Sequence, residues 1–328
     1  MPLALFYKPS YERLQARITA LAPALEVALY DAEGRITLHG REVDIEDISP
    51  EYFWIHSELF FSPCIKDYFR LALASRSLRW LHTVNTGLDR LPYIDLVKSG
   101  VVVTNNHGQA IAIAEYVMGQ VLAHYQNVAD FRTKQHQKIW QHRGFREIQG
   151  THWVIIGFGH IGLAVAQRAK AFGAKITTVR RSPHTEGLAD AVVSQAQLTT
   201  VLPTADVVVL ACTSNADTRN MVNADFLAAM SAKSVLVNIA RGDLVVEAAL
   251  KQALDAGRPE YAILDVFNAE PPAQDCWVWQ HPRVLLTPHL SNAGTGMRAR
   301  SESVFFANLE RMVKGEPLLN QVTERDIV

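Results

Sequence analysis

One glycine-rich turn constrains this chain more than any other feature. A run of large apolar residues at 153–156 predicts a buried strand, and Gly157, Gly159 and Gly162 follow in G-x-G-x-x-G spacing. Residues 161–172 then carry apolar side chains at helical intervals. Strand, glycine turn and helix in this order are typical of a dinucleotide site. The first glycine permits the tight turn, the second lets the backbone approach a pyrophosphate at the helix N-terminus, and the third allows close helix–strand packing.

The end of the next predicted strand, at 176–179, indicates which dinucleotide is bound. Proteins that hold the ribose hydroxyls of NAD have an acidic residue here, whereas this chain continues with Arg180, Arg181 and Ser182. Guanidinium groups pair well with phosphate oxygens, so these residues suit the 2′-phosphate of NADP. We therefore favour NADP over NAD, although NAD stays possible. The alternative is a solvated basic turn before Pro183.

Chain length and composition limit the remaining possibilities. The 328 residues suffice for two domains, and the 48% of hydrophobic residues supports a substantial core. A net charge of −1 gives no global field that favours nucleic acid or an anionic membrane surface. No run of about 18 apolar residues is present, so no membrane-spanning helix is expected. We expect neither nucleic-acid nor membrane partners.

Cysteine usage and the N-terminus favour a cytoplasmic protein. The three cysteines, Cys64, Cys212 and Cys276, include no close pair and fit a reducing compartment better than a disulfide framework. The apolar run before Lys8 is too short for a signal peptide. The 12 histidines are scattered without a convincing metal-ligand cluster, so no metal site is predicted.

Strands and helices alternate along the whole chain, which predicts an α/β fold. The second part has apolar strand candidates at 153–156, 176–179, 207–211, 235–239, 262–266 and 284–287. Most are apolar on both faces, as expected for a doubly wound parallel sheet covered by helices. The first part has candidates at 3–7, 27–30, 53–55, 78–83 and 101–104, with helices at 11–20 and 65–74. We expect a second, smaller parallel sheet of the flavodoxin-like type there.

Two long helices suggest how these parts are arranged. An amphipathic helix at 111–131 would join them, and a helix at 296–313 would return to the first part. We therefore expect a Rossmann nucleotide-binding domain, residues 105–292, inserted into a discontinuous substrate-binding domain. That second domain would comprise residues 1–104 and 293–328, with a cleft between the two.

Polar residues follow three successive predicted strands of the second sheet. Arg241 follows the strand at 235–239, Glu270 comes shortly after Asp265, and His289 follows the strand at 284–287. In open parallel sheets, ligands bind beyond the carboxyl ends of the strands. Arginine, carboxylate and histidine would therefore meet at one edge, near the nicotinamide. Taken singly, each could instead be an ordinary turn, loop or strand-end residue.

The chain resembles the D-isomer-specific 2-hydroxyacid dehydrogenase family. The segments that carry the resemblance are 154–162 (VIIGFGHIG), 236–242 (LVNIARG), 264–271 (LDVFNAEP) and 286–289 (LTPH), with weaker matches at 85–89, 103–105, 114–115 and 308–318. Four motifs in the correct order and spacing are specific evidence, whereas the glycine motif alone would be weak. The resemblance extends from about residue 80 to 320.

The resemblance implies a catalytic role for three residues. Arg241 would hold the substrate carboxylate, and His289 would donate a proton to the carbonyl oxygen as hydride arrives from the nicotinamide. Glu270 would bind the other imidazole nitrogen and favour the protonated ring. From the smaller domain, the backbone at Thr86 and Gly87 would contact the substrate carboxylate; an ordinary glycine turn is the alternative there.

The resemblance also implies contacts to the cofactor beyond the glycines. They fall at Thr104, Phe158, His160, Ile161, Thr213, Ile239, Ala240 and Asp265. The chain departs from the family where Arg180 replaces an aspartate, and at 212–218, where many members have prolines. Trp54 could face the cleft or pack in the core, and His56 is left unassigned.

The residues and the resemblance together predict an NADPH-preferring reductase of small 2-oxo acids. The resemblance alone implies glyoxylate and hydroxypyruvate as first candidates and a homodimer as the expected assembly. One alternative is another dehydrogenase on the same scaffold. A phosphite dehydrogenase would keep the same triad, whereas formate enzymes of the family have glutamine where this chain has Glu270. The other alternative is a non-catalytic, nucleotide-sensing protein of the corepressor type.

Overall fold

The computed structural model describes residues 2–88, 91–180 and 187–324. The chain divides into two compact units: unit 1 comprises Met1–Gly108 and Thr295–Val328, and unit 2 comprises Gln109–Gly294. Each unit is a sheet with flanking helices, which confirms the predicted α/β class. Within the described ranges, no helix combines the length and apolar character needed to cross a membrane.

The elements of unit 1 follow the predicted alternation. Its strands are β1 (Leu3–Tyr7), β2 (Glu26–Tyr30), β3 (Ile36–Leu38), β4 (Arg41–Val43), β5 (Tyr52–Ile55), β6 (Trp80–Thr83) and β7 (Val102–Thr104). Its helices are α1 (Lys8–Leu21), α2 (Ser57–Phe60), α3 (Ile65–Ala74), α4 (Leu91–Lys98) and α11 (Met297–Lys314).

The sheet of unit 1 has the order β4-β3-β2-β1-β5-β6-β7. Its parallel strands follow the 2-1-3-4-5 order of flavodoxin-like sheets. The predicted parallel sheet is confirmed for these five strands, whereas at one edge the strands β3 and β4, which were not predicted, pair antiparallel to β2 and to each other. These strands have only three residues each, and β4 is mostly exposed, so neither gives an apolar run in the sequence.

Aromatic packing joins helix α11 to the sheet of unit 1. The rings of Trp54 and Phe305 stack at a centroid distance of 3.6 Å. Phe306 and Leu309 are buried in the same cluster, together with Phe6 from β1. Trp54 is therefore a core residue, the second of the two roles considered for it.

The elements of unit 2 also alternate. Its strands are β8 (His152–Ile156), β9 (Lys175–Val179), β10 (Ala191–Val193), β11 (Val207–Leu210), β12 (Val235–Asn238), β13 (Tyr261–Leu264) and β14 (Val284–Leu286). Its helices are α5 (Ala110–Tyr125), α6 (Val128–His136), α7 (His160–Ala171), α8 (Leu198–Val201), α9 (Ala224–Ala229) and α10 (Glu247–Asp255).

The sheet of unit 2 has the order β10-β9-β8-β11-β12-β13-β14, and its pairings are parallel. Numbered from β8, this is the 3-2-1-4-5-6 order of a Rossmann sheet with one added strand, so the predicted doubly wound sheet is confirmed. The strand order switches direction at β8: β9 and β10 are added on one side of it, and β11 to β14 on the other. The carboxyl ends of these two strands therefore mark the switch point at which such sheets bind ligands.

The single helix predicted at 111–131 is wrong in extent. Helix α5 ends at Tyr125 and α6 begins at Val128, because Asn127 between them adopts a left-handed conformation with φ +56°. Asparagine enters this region more readily than most residues, and it interrupts the helical hydrogen-bond ladder.

Candidate active site

The residues predicted to carry chemistry follow three adjacent strands of unit 2. Arg241 comes shortly after β12, Glu270 lies in the loop after β13, and His289 comes shortly after β14. Because β12, β13 and β14 are neighbours that run parallel, the three loops leave the sheet on the same side, at the carboxyl ends of the strands. This side is called the carboxyl edge of the sheet. This is also the edge that carries the glycine turn after β8.

His289 and Glu270 form a hydrogen-bonded pair. Nδ1 of His289 lies 2.8 Å from Oε2 of Glu270, and the side chains are 44% and 38% exposed. The other carboxylate oxygen, Oε1, accepts the backbone N–H of Phe267 at 3.0 Å, which orients the glutamate. A carboxylate on Nδ1 places the second ring nitrogen, Nε2, in the position to exchange a proton with a bound molecule.

Asp265 anchors the loop that carries His289. Its buried carboxylate accepts hydrogen bonds from the Thr287 hydroxyl at 2.6 Å and from the backbone N–H groups of Leu290 and Ser291, each at 2.9 Å. Its carbonyl oxygen accepts the N–H of His289 at 2.9 Å. The side chain of Asp265 is thus engaged with this loop, and its expected place beside the cofactor stays a prediction.

The loop of Arg241 packs directly against the loop that leads to Glu270. A Cβ atom added to Gly242 would lie 2.0 Å from the carbonyl carbon of Phe267, so only glycine permits this contact. Asn238, the last residue of β12, donates from Nδ2 to the carbonyl of Arg241 at 2.8 Å and accepts the N–H of Ala240 at 3.1 Å. Sequence reasoning missed Asn238. A polar residue ending an otherwise apolar strand was the available signal.

The glycine turn has the geometry expected from its spacing. Gly157 has φ +93°, and a Cβ there would lie 2.6 Å from the backbone of Cys212 in the loop after β11. A Cβ on Gly162 would lie 2.1 Å from the carbonyl oxygen of Gly157. These two glycines therefore close the turn and let α7 pack on the sheet.

The remaining glycine of the turn borders open space. Among the described residues, no heavy atom lies within 4 Å of a Cβ built on Gly159. Helix α7 begins at the next residue, His160, without a side-chain cap. An exposed helix N-terminus beside unfilled space suits a pyrophosphate, so the residues present fit a dinucleotide. Phe158 and Ile161, which flank this position, are half-buried.

Other predicted cofactor contacts surround the same edge. Arg180 directly follows β9, is half-buried, and donates its backbone N–H to the carbonyl of Val193 at 3.2 Å. Thr213 is exposed in the loop after β11. Ile239 and Ala240 are buried, so only their backbone could meet a ligand. Arg181 and Ser182, the other residues assigned to the 2′-phosphate, lie outside the described residues.

Three predicted residues lie in unit 1. The Thr86 hydroxyl donates to the carbonyl of Asn106 at 2.6 Å, so its side chain stabilises the turn. Gly87 is half-buried and has no side chain, so a substrate contact at either residue would involve the backbone. Thr104 is buried, and its hydroxyl is bonded to Trp80 Nε1 and His82 Nδ1, each at 2.8 Å. The expected contact of Thr104 with the nicotinamide could therefore involve only its backbone.

His56, left unassigned from sequence, belongs to a polar cluster that follows the carboxyl ends of β1 and β5 in unit 1. Its Nδ1 lies 2.9 Å from the hydroxyl of Ser10, and its Nε2 lies 3.1 Å from Oε1 of Glu302. Arg13 pairs with Glu302 at 2.8 Å. Burial lowers the pKa of His56 despite the carboxylates of Glu58 and Glu302. Because these partners are distant in sequence, no local sequence pattern indicated the cluster.

Comparison with known proteins decides the family. A sequence profile described as "D-isomer specific 2-hydroxyacid dehydrogenase, NAD binding domain" matches residues 118–291, more than half of the chain. The chain belongs to the D-isomer specific 2-hydroxyacid dehydrogenase family. The resemblance drawn from the four sequence motifs is thereby confirmed.

Individual members of the family are similar over most of their length. Glyoxylate/hydroxypyruvate reductase A of Salmonella typhi is 27% identical over 76% of this chain and 82% of its own. A family member from Aeromonas salmonicida has a TM-score of 0.80 at 25% identity, covering 98% of this chain and 99% of its own. Another, from Xanthobacter autotrophicus Py2 in complex with NADPH and MES, has a TM-score of 0.78 at 26% identity, covering 99% of this chain and 98% of its own.

Proposed function

We propose that this D-2-hydroxyacid dehydrogenase is an NADPH-preferring reductase that converts small 2-oxo acids to D-2-hydroxy acids. The observation that carries the proposal is the hydrogen bond between His289 and Glu270 at the ligand-binding edge of unit 2. A histidine oriented by a carboxylate is the arrangement needed for proton transfer to a carbonyl oxygen.

Each catalytic residue has one task in the proposed reaction. Arg241 holds the substrate carboxylate, since a guanidinium fork matches two carboxylate oxygens. His289 donates a proton from Nε2 to the carbonyl oxygen, and Glu270 stabilises the positive charge of the ring until that proton leaves. Bound NADPH supplies the hydride. In the reverse direction, neutral His289 accepts the proton of the hydroxyl group.

The preference for NADPH rests on Arg180. It stands directly after β9, where an acidic residue would bind the ribose hydroxyls of NAD. A guanidinium at this point instead favours a 2′-phosphate. The family member from Xanthobacter, at 26% identity, has NADPH bound, which supports the same choice. We include Arg181 and Ser182 in this phosphate site because they follow directly in sequence.

Glyoxylate and hydroxypyruvate are the proposed substrates. The support is the similarity to glyoxylate/hydroxypyruvate reductase A, which covers three quarters of the chain at 27% identity. Both compounds are short 2-oxo acids with one carboxylate, which Arg241 would hold. We propose that the backbone at Thr86 and Gly87 in unit 1 also binds that carboxylate.

We propose a homodimer formed through unit 2. The support is a group of exposed apolar side chains between α6 and β8: Ile139, Trp140 and Phe145. Trp140 is fully exposed, at 101%. Large apolar side chains exposed in one short segment suit a protein–protein contact, in which they would be buried. Sedimentation at several protein concentrations, with Trp140→Ser as the disrupting variant, tests this assembly.

A substrate and cofactor panel tests the function. The purified protein is assayed for oxidation of NADPH and NADH with glyoxylate, hydroxypyruvate, pyruvate and phenylpyruvate. The proposal predicts the highest kcat/KM with NADPH and one of the first two acids. Turnover restricted to bulky 2-oxo acids would contradict the substrate assignment. Cofactor binding without turnover of any acid would favour a nucleotide-sensing protein instead.

A further inference from the structure

Two half-buried hydroxyl groups and one buried carboxylate form a hydrogen-bonded series from helix α5 to the loop of His289. The hydroxyl of Tyr116, on α5, lies 2.7 Å from Oγ1 of Thr287. Thr287 in turn donates to Oδ1 of Asp265 at 2.6 Å. Tyr116 stands far from His289 in sequence, and nothing in the reaction proposed above uses it or Thr287.

The direction of these hydrogen bonds follows from proton counting. Asp265 is an acceptor when ionised, so the single hydroxyl proton of Thr287 is committed to it. Tyr116 must then donate its own proton to Thr287. Burial raises the pKa of Tyr116 to about 12, so this phenol keeps its proton at neutral pH. The series of donated hydrogen bonds therefore runs from the Tyr116 phenol to the Thr287 hydroxyl to the Asp265 carboxylate.

This series ends on the backbone around His289. The side chain of Asp265 accepts the N–H groups of Leu290 and Ser291, and its carbonyl accepts the N–H of His289. His289 has φ +51°, a left-handed conformation that is uncommon for residues other than glycine. A residue holds such a conformation only where the surrounding contacts fix it. Here Asp265 supplies several of those contacts, beside the carbonyl of Thr287 and the carboxylate of Glu270.

We propose that Tyr116 is a positioning residue for the proton-transfer histidine, acting through the Thr287 hydroxyl and the Asp265 carboxylate. Tyr116 touches neither substrate nor cofactor in this assignment. Its donated hydrogen bond fixes the rotation of the Thr287 hydroxyl. That hydroxyl in turn keeps the Asp265 carboxylate in place to accept the backbone N–H groups of Leu290 and Ser291. His289 is thereby held where its ring meets Glu270. The inference rests on the proposed function only for its kinetic consequences, and its structural part stands independently.

Tyr116→Phe is the central variant, because it removes one hydroxyl and keeps the ring. Tyr125→Phe is the matched control: Tyr125 is a buried tyrosine on the same helix whose hydroxyl has no hydrogen-bond partner among the described residues. Thr287→Val removes the second hydroxyl with little change of shape, and Thr287→Ser restores it. The double variant Tyr116→Phe with Thr287→Val tests whether both act in one series.

Two measurements are made on the full-length protein with every variant. The first is steady-state kinetics with NADPH and the best 2-oxo acid. One net hydrogen bond corresponds to a loss of about 2- to 10-fold in kcat for Tyr116→Phe, with little change in KM for either substrate. The second is the NMR spectrum of the His289 imidazole, assigned with His289→Gln, which reports the pairing with Glu270 without any turnover.

The inference predicts a lower kcat and shifted His289 signals for Tyr116→Phe, wild-type values for Tyr125→Phe, and near-normal values for Thr287→Ser. The double variant should be no worse than Thr287→Val alone. Tyr116→Phe with the kcat and His289 signals of the Tyr125→Phe control would overturn it, even if Thr287→Val did not fold. If no 2-oxo acid is turned over but His289→Gln identifies signals that shift in Tyr116→Phe, the proposed function fails and the positioning role stands.

Discussion

Nδ1 of His289 and Oε2 of Glu270 lie 2.8 Å apart, although nineteen positions separate the two residues in sequence. The parallel strands β13 and β14 bring their loops together, and Asp265 holds the backbone of the second loop. The pair is half-exposed at the edge of the sheet, so it can meet a bound molecule. Its chemistry leads to the predictions that follow.

Replacing Glu270 with glutamine should lower kcat for 2-oxo acid reduction. The amide keeps an acceptor for the ring but no longer stabilises its positive charge. A hydrogen bond to a charged group is worth about 1.5–3 kcal/mol, so a loss of roughly 10- to 150-fold is expected. Glu247→Gln is the control, since Oε1 of Glu247 accepts the N–H of Asn268 in the same loop at 3.3 Å. Equal kcat values for the two variants would contradict the assigned role.

Replacing Gly159 with alanine should weaken cofactor binding and leave the fold unchanged. The added methyl enters space that is open among the described residues, where the pyrophosphate is expected. Overpacking of this kind costs about 1–3 kcal/mol, or roughly 5- to 150-fold in NADPH affinity. Gly119→Ala, an equally open position on α5, is the control. Fluorescence titration with NADPH gives the affinities; identical values for both variants would remove Gly159 from the site.

Replacing Arg180 with aspartate should reverse the order of the two cofactors. The variant loses a charge-assisted hydrogen bond to the 2′-phosphate, worth about 1.5–3 kcal/mol, while a carboxylate suits the ribose hydroxyls of NADH. Binding of NADPH should weaken by roughly 10- to 150-fold, and binding of NADH should stay the same or improve. Arg168→Ala, on α7 and paired with Glu115 at 3.3 Å, should affect both cofactors equally. Equal losses of affinity for NADPH and NADH in the Arg180 variant would refute the assignment of Arg180 to the 2′-phosphate.

Acid should destabilise the protein partly through His82. Burial lowers the pKa of His82 to about 3, so it stays neutral in the folded state while the unfolded chain takes up a proton below about pH 6.5. Its contribution to stability is complete above that pH and is lost as pH falls towards 3. The loss is about 1.4 kcal/mol per pH unit.

His82→Gln removes this proton uptake. The free energy of unfolding in urea, measured from pH 7 to pH 4, should fall less steeply in the variant by about 1.4 kcal/mol per pH unit. The variant should also be less stable at pH 7, because His82 bonds to Thr104 at 2.8 Å. Parallel pH profiles for variant and wild type would show that the pKa of His82 is the same in the folded and unfolded states, and would contradict the prediction.

Much of the fold could be predicted because buried parallel strands are short and uniformly apolar. The strands around Ile155 and Val208 illustrate this pattern, and polar residues such as Arg241 mark where strands end. The edge on which the site residues lie followed from one rule about parallel sheets. Residue type and strand order together were therefore enough to bring His289 and Glu270 to one edge.

Other features left no trace in a linear pattern. The hairpin of β3 and β4 is too short and too exposed to give an apolar run, and Asn127 interrupts a segment that is otherwise helical in composition. The direction of a side chain is also invisible in sequence. Asp265 stands at the expected edge, and no sequence pattern indicated that its carboxylate bonds to the Thr287 loop. Such contacts depend on three-dimensional neighbours.

The proposed mechanism requires His289 as the proton donor, and single-turnover oxidation of NADPH by His289→Gln tests this role. Glutamine keeps a polar side chain but cannot transfer the proton, so the rate with glyoxylate or hydroxypyruvate should fall by about 10²–10⁴-fold. The affinity for NADPH should stay close to that of the wild type. A variant that oxidises NADPH at nearly the wild-type rate would contradict the proposed mechanism.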